Sequence, residues 1–244
     1  MIGALNDHRA KGDGMIVIDA VSQEDLKTIA TAIVATRLPL MCGCAGLAEE
    51  LPDALAVSRK GRSVFVLAGS TSAVTARQIA FLQALPEVQI IDLASHFHFD
   101  NLDDSETGLS GIMDEALQHL KHGRDVAVWC SFSLRATNAI AKRIGATSFE
   151  SRFFNTMGTL AKVVVATVPI AGLILTGGDT AYHAAQALNV TATEILEEVQ
   201  PGIPAVEFIG GIGDGLHVVT KAGAFGGDDA LVAAVKYLRR TCPT

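Results

Sequence analysis

No run of this chain is long and apolar enough to cross a bilayer as a helix. The longest apolar run, KVVVATVPIAGLIL, opens on a lysine and is interrupted by Pro169 and Gly172. A span needs roughly 20 predominantly apolar residues. The opening MIGALNDHRAKGDG lacks the apolar core of a secretory signal. Basic excess is missing as well: 26 Asp and Glu against 19 Lys and Arg give a net charge of −7. That excludes a nucleic-acid surface, which draws on many Lys and Arg contacts to phosphate. It also obliges any anionic ligand to be held by local donors. Cysteine is scarce, and Cys42, Cys44, Cys130 and Cys242 match no zinc spacing and no Cys-x-x-Cys pair. They read as reduced thiols of a cytoplasmic protein, with Cys42 and Cys44 as small buried residues at a strand end.

What is present is apolar and alternating. Apolar residues make up 49% of the 244 and charged ones only 18%, enough for a substantial core and against disorder. Short apolar runs alternate with amphipathic stretches, the mark of an α/β sheet protein. Strands are expected at residues 15–19, 63–68, 88–92, 125–130, 172–176, 204–209 and 216–220. Helices are expected at 23–36, 73–84, 111–121, 134–144, 151–167, 180–188 and 229–240. The 151–167 helix is marked by Phe153, Phe154, Met157, Leu160, Ala161, Val164 and Val165 at three- and four-residue steps. Ser22 with Asp25 predicts a capped start for the 23–36 helix. The last two strands flank the glycine-rich GGIGDG and read as an antiparallel hairpin in an otherwise mostly parallel sheet. The charged stretch EELPDALAVSRKGR predicts a boundary between residues 1–52 and 53–244. The first part holds too little to bury a core alone and reads as a fragment of a second α/β domain. The second reads as a three-layer domain.

Three glycine-bearing loops follow strands. In VFVLAGSTSAVTARQIA, Ser70 and Ser72 stand between a strand and a helix, where unpaired N–H groups favour a phosphate; equally, Ser72 can simply cap the helix. In GLILTGGDTA, Gly177 and Gly178 allow close approach or positive φ, with Asp179 as N-cap and Thr180 in the first turn. Asp179 can also meet a hydroxyl or a metal. In VVTKAGAFGGDDAL, Lys221 sits beside Gly223, either neutralising a phosphate or as a solvated strand end, and Asp228 or Asp229 opens the final helix. The Gly-x-x-x-x-Gly-Lys-Ser/Thr pattern of a P-loop is absent. In a parallel sheet these loops gather at one edge, where ligands bind.

GLILTGGDTA and GLHVVTKAGAFG together resemble the C-terminal nucleotide-binding domain of the four-carbon acid sugar kinases. VLAGSTSAVTARQIA is similar to that family's Gly-Ser-x-Ser loop. IVIDAVSQEDL followed by CGCAGLA resembles the last segment of its N-terminal substrate-binding domain, with Gly43 and Gly46 matching a Gly-x-x-Gly turn. The resemblance implies phosphorylation of a threonate- or erythronate-like acid with ATP and Mg²⁺. It implies nucleotide contacts from Ser70, Ser72, Gly177, Gly178, Asp179, Thr180, Lys221 and Gly223. Ala224 stands where the family often has glycine. The family's Asp-Asp-x-Thr-Gly motif, which supplies the sugar-acid site and the base, is not in this sequence. DDSETG at 103–108 does not match it. No catalytic residue is therefore assigned, and the chain is expected to bind nucleotide with little or no turnover. A homo-oligomer is compatible with this reading.

Two other readings stay open. Gly-Ser-x-Ser before a helix also suits a phosphorylated sugar, as in an isomerase-like domain, and a non-catalytic nucleotide-binding module would carry the same loops. His96 and His98, near Asp92 and Asp100, are metal ligands by type but alternate with phenylalanines as a strand end does. His183 sits near the second loop, where helix packing is the simpler role. Trp129 and Cys130 read as core.

Overall fold

A computed structural model describes residues 1–12, 14–36, 40–55, 63–96, 105–131, 138, 141–142 and 145–241. The chain divides into two compact units, Met1–Lys60 and Gly61–Thr244.

The first unit is helical: α1 (Ile2–Lys11), α2 (Gln23–Thr36) and α3 (Ala45–Ala54). Helix α2 starts on the reciprocal cap expected of Ser22 and Asp25. The Ser22 N–H donates to Asp25 Oδ2 at 3.0 Å, and the Asp25 N–H donates to Ser22 Oγ at 3.2 Å. The Ser22 hydroxyl and the Val21 N–H hold the Asp25 carboxyl below its usual range. Ile29, Ala30 and Leu47 form a small core with Leu26, Ile33 and Met41 around it. The strand expected at residues 15–19 is not formed, and Met15 and Val17 are 83% and 81% exposed. An apolar alternation becomes a strand only through ladder bonds to a neighbour, and none of the described residues of this unit pairs with it. Cys42 and Cys44 are exposed, not buried, because the strand end meant to bury them is likewise missing.

The second unit is a seven-stranded sheet between two helical layers. Its strands are β1 (Val64–Ala68), β2 (Val88–Asp92), β3 (Asp125–Trp129), β4 (Gly172–Thr176), β5 (Ala192–Gln200), β6 (Ile203–Ile209) and β7 (His217–Lys221). They lie in the order β2-β3-β1-β4-β7-β6-β5. The first five in that order run parallel, while β6 is antiparallel to β7 and to β5. The helices are α4 (Ala73–Gln83), α5 (Leu93–His96), α6 (Ser105–Lys121), α7 (Ala146–Thr167), α8 (Gly178–Ala187) and α9 (Ala230–Thr241). The expected 134–144 helix lies largely outside the described residues.

Side chains alternate between the sheet's two faces. Phe65, Leu67, Val126, Leu173 and Leu175 pack with Met157, Leu160 and Ala184 of α7 and α8. Val64, Val66, Ile174 and Val219 pack with Ile79 and Leu82 of α4 and Leu231 and Leu238 of α9. Both faces of the central strands are covered, which is why they read as unbroken apolar runs. At the amino ends of the strands, the buried Asp125 accepts the Val64 N–H at 2.9 Å and pairs with Arg239 of α9 at 2.7 Å. Burial pushes its carboxyl up against the pull of the Arg239 guanidinium. Strand β5, unforeseen in the sequence, is exposed along its first seven residues. Its first seven residues carry no burial signal because they stand in solvent, and only near its end does Val199 pack against the core. Among the described residues, no helix is long and apolar enough to cross a membrane.

Candidate functional site

Strands β1, β4 and β7 are neighbours and parallel, so their following loops meet at one rim of the sheet. That brings Ser70, Ser72, Gly177, Gly178, Asp179, Thr180, Lys221 and Gly223 together as the sequence led one to expect.

The loops after β1 and β7 are tied through one atom. The Gly223 carbonyl accepts from Ser72 Oγ at 2.6 Å, Thr75 Oγ1 at 3.0 Å and Lys221 Nζ at 3.1 Å. Ser72 is also the N-cap of α4, accepting the Thr75 N–H at 3.1 Å. Both of its hydrogen-bonding roles are thus engaged by protein. Ser70 Oγ accepts the Ser72 N–H at 3.2 Å. Gly223 lies so close that a Cβ there would collide with the Ser70 hydroxyl. Glycine is required by the contact between the loops.

Lys221 is not a solvated strand end. It is 3% exposed, and Nζ donates to the carbonyls of Ala222, Gly223 and Phe225 at 2.9, 3.1 and 3.2 Å. An ammonium has three protons to donate, and the loop accepts all of them. Burial pulls its pKa down to about 8. A lysine that holds its own loop is invisible in sequence, where a strand-end lysine reads as solvated.

The β4 loop is built differently. Gly177, not Asp179, is the N-cap of α8, at φ 107°, and its N–H donates to the Lys221 carbonyl at 2.8 Å. Asp179 is exposed in the first turn; the helix begins two residues earlier than the aspartate suggested because Gly177 takes a backbone conformation closed to other residues. Thr180 is buried against Gly69, and the buried Thr176 and Thr180 hydroxyls have no protein partner. Gly178 is the exception among these glycines. A Cβ there would meet nothing within 4 Å.

A cleft of about 630 Å³ opens beside this rim. It is lined by Gly69 and Thr71 after β1, Cys130 after β3, Glu150, Ser151 and Phe154 of α7, and Asp179 and His183 of α8, among others. The Phe154 and His183 rings stack at 5.2 Å with 16° between planes. His183 therefore packs on its helical neighbour and also faces the cleft. Glu150 and Ser151 carried no signal in the sequence, since α7 was recognised by its apolar stripe and these stand off it. His96 ends α5, His98 and Asp100 lie outside the described residues, and Asp92 accepts the Ala94 and Ser131 N–H groups at 3.0 Å. Among the described residues no group of three or more His, Cys, Asp or Glu is placed to hold a metal ion.

Comparison with known proteins gives two family matches, a nucleotide-binding C-terminal domain over residues 65–231 and a sugar-binding N-terminal domain over residues 2–51. A D-threonate kinase of Salmonella typhimurium is 33% identical, over 96% of this chain and 56% of its own length. A D-erythronate kinase of Heliobacterium modesticaldum is 26% identical over the same shares. The chain thus spans about half the length of the curated relatives it matches. A crystal structure of a domain of unknown function from Bordetella bronchiseptica, a domain-swapped dimer with bound citrate, superposes with a TM-score of 0.70. It is 26% identical, and the match covers 100% of this chain and 58% of that one.

Proposed function

Given that this chain belongs to the four-carbon acid sugar kinase family, we propose that Gly61–Thr244 holds ATP for transfer of its terminal phosphoryl group to a threonate- or erythronate-like acid. The supporting observation is Gly178. It stands in the first turn of a helix, at the meeting of three loops, with open space where its side chain would be. Nothing in the protein asks for glycine there, whereas an anion brought against the backbone does. The unpaired N–H groups of that turn suit phosphate oxygens, and the partnerless Thr176 and Thr180 hydroxyls lie just behind. The residues present fit the group.

In this reading the first-turn N–H groups of Gly178, Asp179 and Thr180 bind the phosphates. Ser70 and Gly223 close the other side, and Ser72 and Lys221 hold the loops that carry them. The exposed Asp179 carboxylate would hold Mg²⁺, which would supply charge neutralisation on the moving group. Phosphoryl transfer asks the protein for alignment and electrostatic support more than for covalent chemistry. The acid site and its base belong to the sugar-binding domain, part of which is Met1–Lys60. This chain alone binds nucleotide and turns over little or none. It works in the cytoplasm, where ATP is kept, and the exposed β5 edge is available to a homo-oligomer.

A thermal-shift or urea titration tests the reading. Mg-ATP at ~100 times its Kd adds about 2.7 kcal/mol of stability. No response to ATP, ADP or a non-hydrolysable analogue overturns it. A response to sugar phosphates but not to ATP favours an isomerase-like domain instead.

A further inference from the structure

Helix α4 runs alongside the loop that joins β7 to α9. At its start, Ser72 and Thr75 donate to the Gly223 carbonyl. About one turn on, Gln78 Nε2 donates to the Gly227 carbonyl at 2.8 Å and to the Phe225 carbonyl at 3.0 Å, with the Gly226 carbonyl at 3.4 Å. On the exposed side, Arg77 Nε pairs with the Asp228 carboxylate at 2.9 Å.

Gln78 is fully buried, while Ile79 and Leu82 of the same helix belong to the apolar core. Three carbonyls converge on its amide, so the NH₂ end faces them. Its Oε1 is left buried with no partner among the described residues. A methionine would fill the same space without stranding an oxygen, and stranding one is costly. Packing therefore does not ask for glutamine here. The loop does.

The peptides of that loop are turned in a common direction. Lys221 Nζ takes the carbonyls of Ala222, Gly223 and Phe225, and Gln78 those of Phe225, Gly226 and Gly227. In a trans peptide the C=O and the following N–H point opposite ways. Five carbonyls facing two buried donors thus turn the N–H groups of Gly223, Ala224, Gly226, Gly227 and Asp228 away from those donors. Ala224, Gly226 and Gly227 lie exposed on that outer side. Successive N–H groups on one side of a turn make a concavity suited to anions.

We propose that Gln78 is a positioning residue for nucleotide binding. It acts through the 222–228 loop, holding the peptides so that their N–H groups stand ready for phosphate oxygens. This rests on the nucleotide reading above and adds a residue that itself touches no ligand. Without the Gln78 amide, the peptides from Phe225 to Asp228 are free to turn, and the ligand must order them at a cost in affinity.

Amide NMR and calorimetry test the assignment. In the unaltered chain, Mg-ATP shifts the amide resonances of Gly178, Gly226 and Gly227. Gln78→Met keeps the length and removes the donor. It lowers ATP affinity fivefold or more and flattens the Gly226 and Gly227 response, while Gly178 still responds at saturation. A smaller loss of affinity overturns the proposal. Ile79→Val, at the neighbouring core position, lowers stability but leaves ATP affinity within twofold. An affinity loss there equal to that of Gln78→Met would mark a general structural effect and also overturn it. If Gly178 responds in the unaltered chain but Gly226 and Gly227 do not, the Gln78 role fails and the nucleotide reading stands. If no amide responds to ATP, ADP or a non-hydrolysable analogue, both fall. Should Gln78→Met not fold, Gln78→Asn, which withdraws the amide by one methylene, is held to the same outcomes.

Discussion

The rim of the sheet has a closed half and an open half. In the closed half, the loops after β1 and β7 are locked by Ser72, Thr75 and Lys221 donating to the single Gly223 carbonyl. Gly223 is glycine because Ser70 fills the place of its side chain. In the open half, Gly178 is glycine with nothing around it. Gly177 stands between, forced by its φ of 107°. Three residues of one type therefore stand in three settings: against a neighbouring loop, at a backbone angle that excludes side chains, and in open space, where the proposal above puts a molecule from outside. Only the surroundings tell the three apart.

Substitutions across the two halves should separate stability from binding. The largest stability effect belongs to the closed half. Lys221→Met leaves three loop carbonyls without their donor, while relief of the buried charge offsets part of the loss. About 2 kcal/mol in urea unfolding is expected, together with weakened ATP binding. A stable variant with unchanged affinity would show that the lock is dispensable. Next comes Gly177→Ala, which forces a side chain into a backbone conformation worth ~1 kcal/mol or more of strain; equilibrium unfolding reads it directly. A smaller effect is a pH dependence. Folded Lys221 titrates near 8 and an unfolded lysine at 10.5, so the unfolded state binds the extra proton between them. The pH-linked part of the Lys221 contribution, relief of its buried charge, is thus fully present above 10.5 and lost as pH falls through about 8. Stability measured across that window should rise more steeply in the unaltered protein than in Lys221→Met, and parallel slopes would refute the titration. The smallest change in stability, within about 0.5 kcal/mol, is expected for Gly178→Val, although its ATP affinity should drop tenfold or more. A large loss of stability there would return Gly178 to the closed half.

The central strands were legible because they are buried on both faces. GLILT, bounded by Gly172 and Gly177, is β4 residue for residue. Strand β5 was not, since its Glu194, Glu197 and Glu198 stand in solvent. It owes its extended form to pairing with β6, which sequence alternation does not record. Residues 15–19 fail in the opposite sense, with the right pattern and no partner among the described residues. At the site, the positions of Ser70, Ser72, Gly177 and Gly223 followed from strand ends and glycine spacing. The inward turn of Lys221 did not, because its acceptors are backbone carbonyls of its own loop and leave no trace in residue type. The Glu150 side of the cleft was hidden for a related reason, being assembled from elements distant in sequence.

The Asp125–Arg239 pair and the apolar stripe of α9 have a bearing on how the protein is made. Val64, Val66, Ile174 and Val219 are sealed in part by Leu231, Ala234, Val235 and Leu238 of α9, which follows all seven strands in the chain. Until those emerge, the part of that side which α4 does not cover remains bare, and the Asp125 carboxylate waits for its guanidinium. Such a nascent chain offers a sticky apolar surface to its neighbours, so the emergence of α9, more than any earlier step, is the moment at which this domain escapes aggregation.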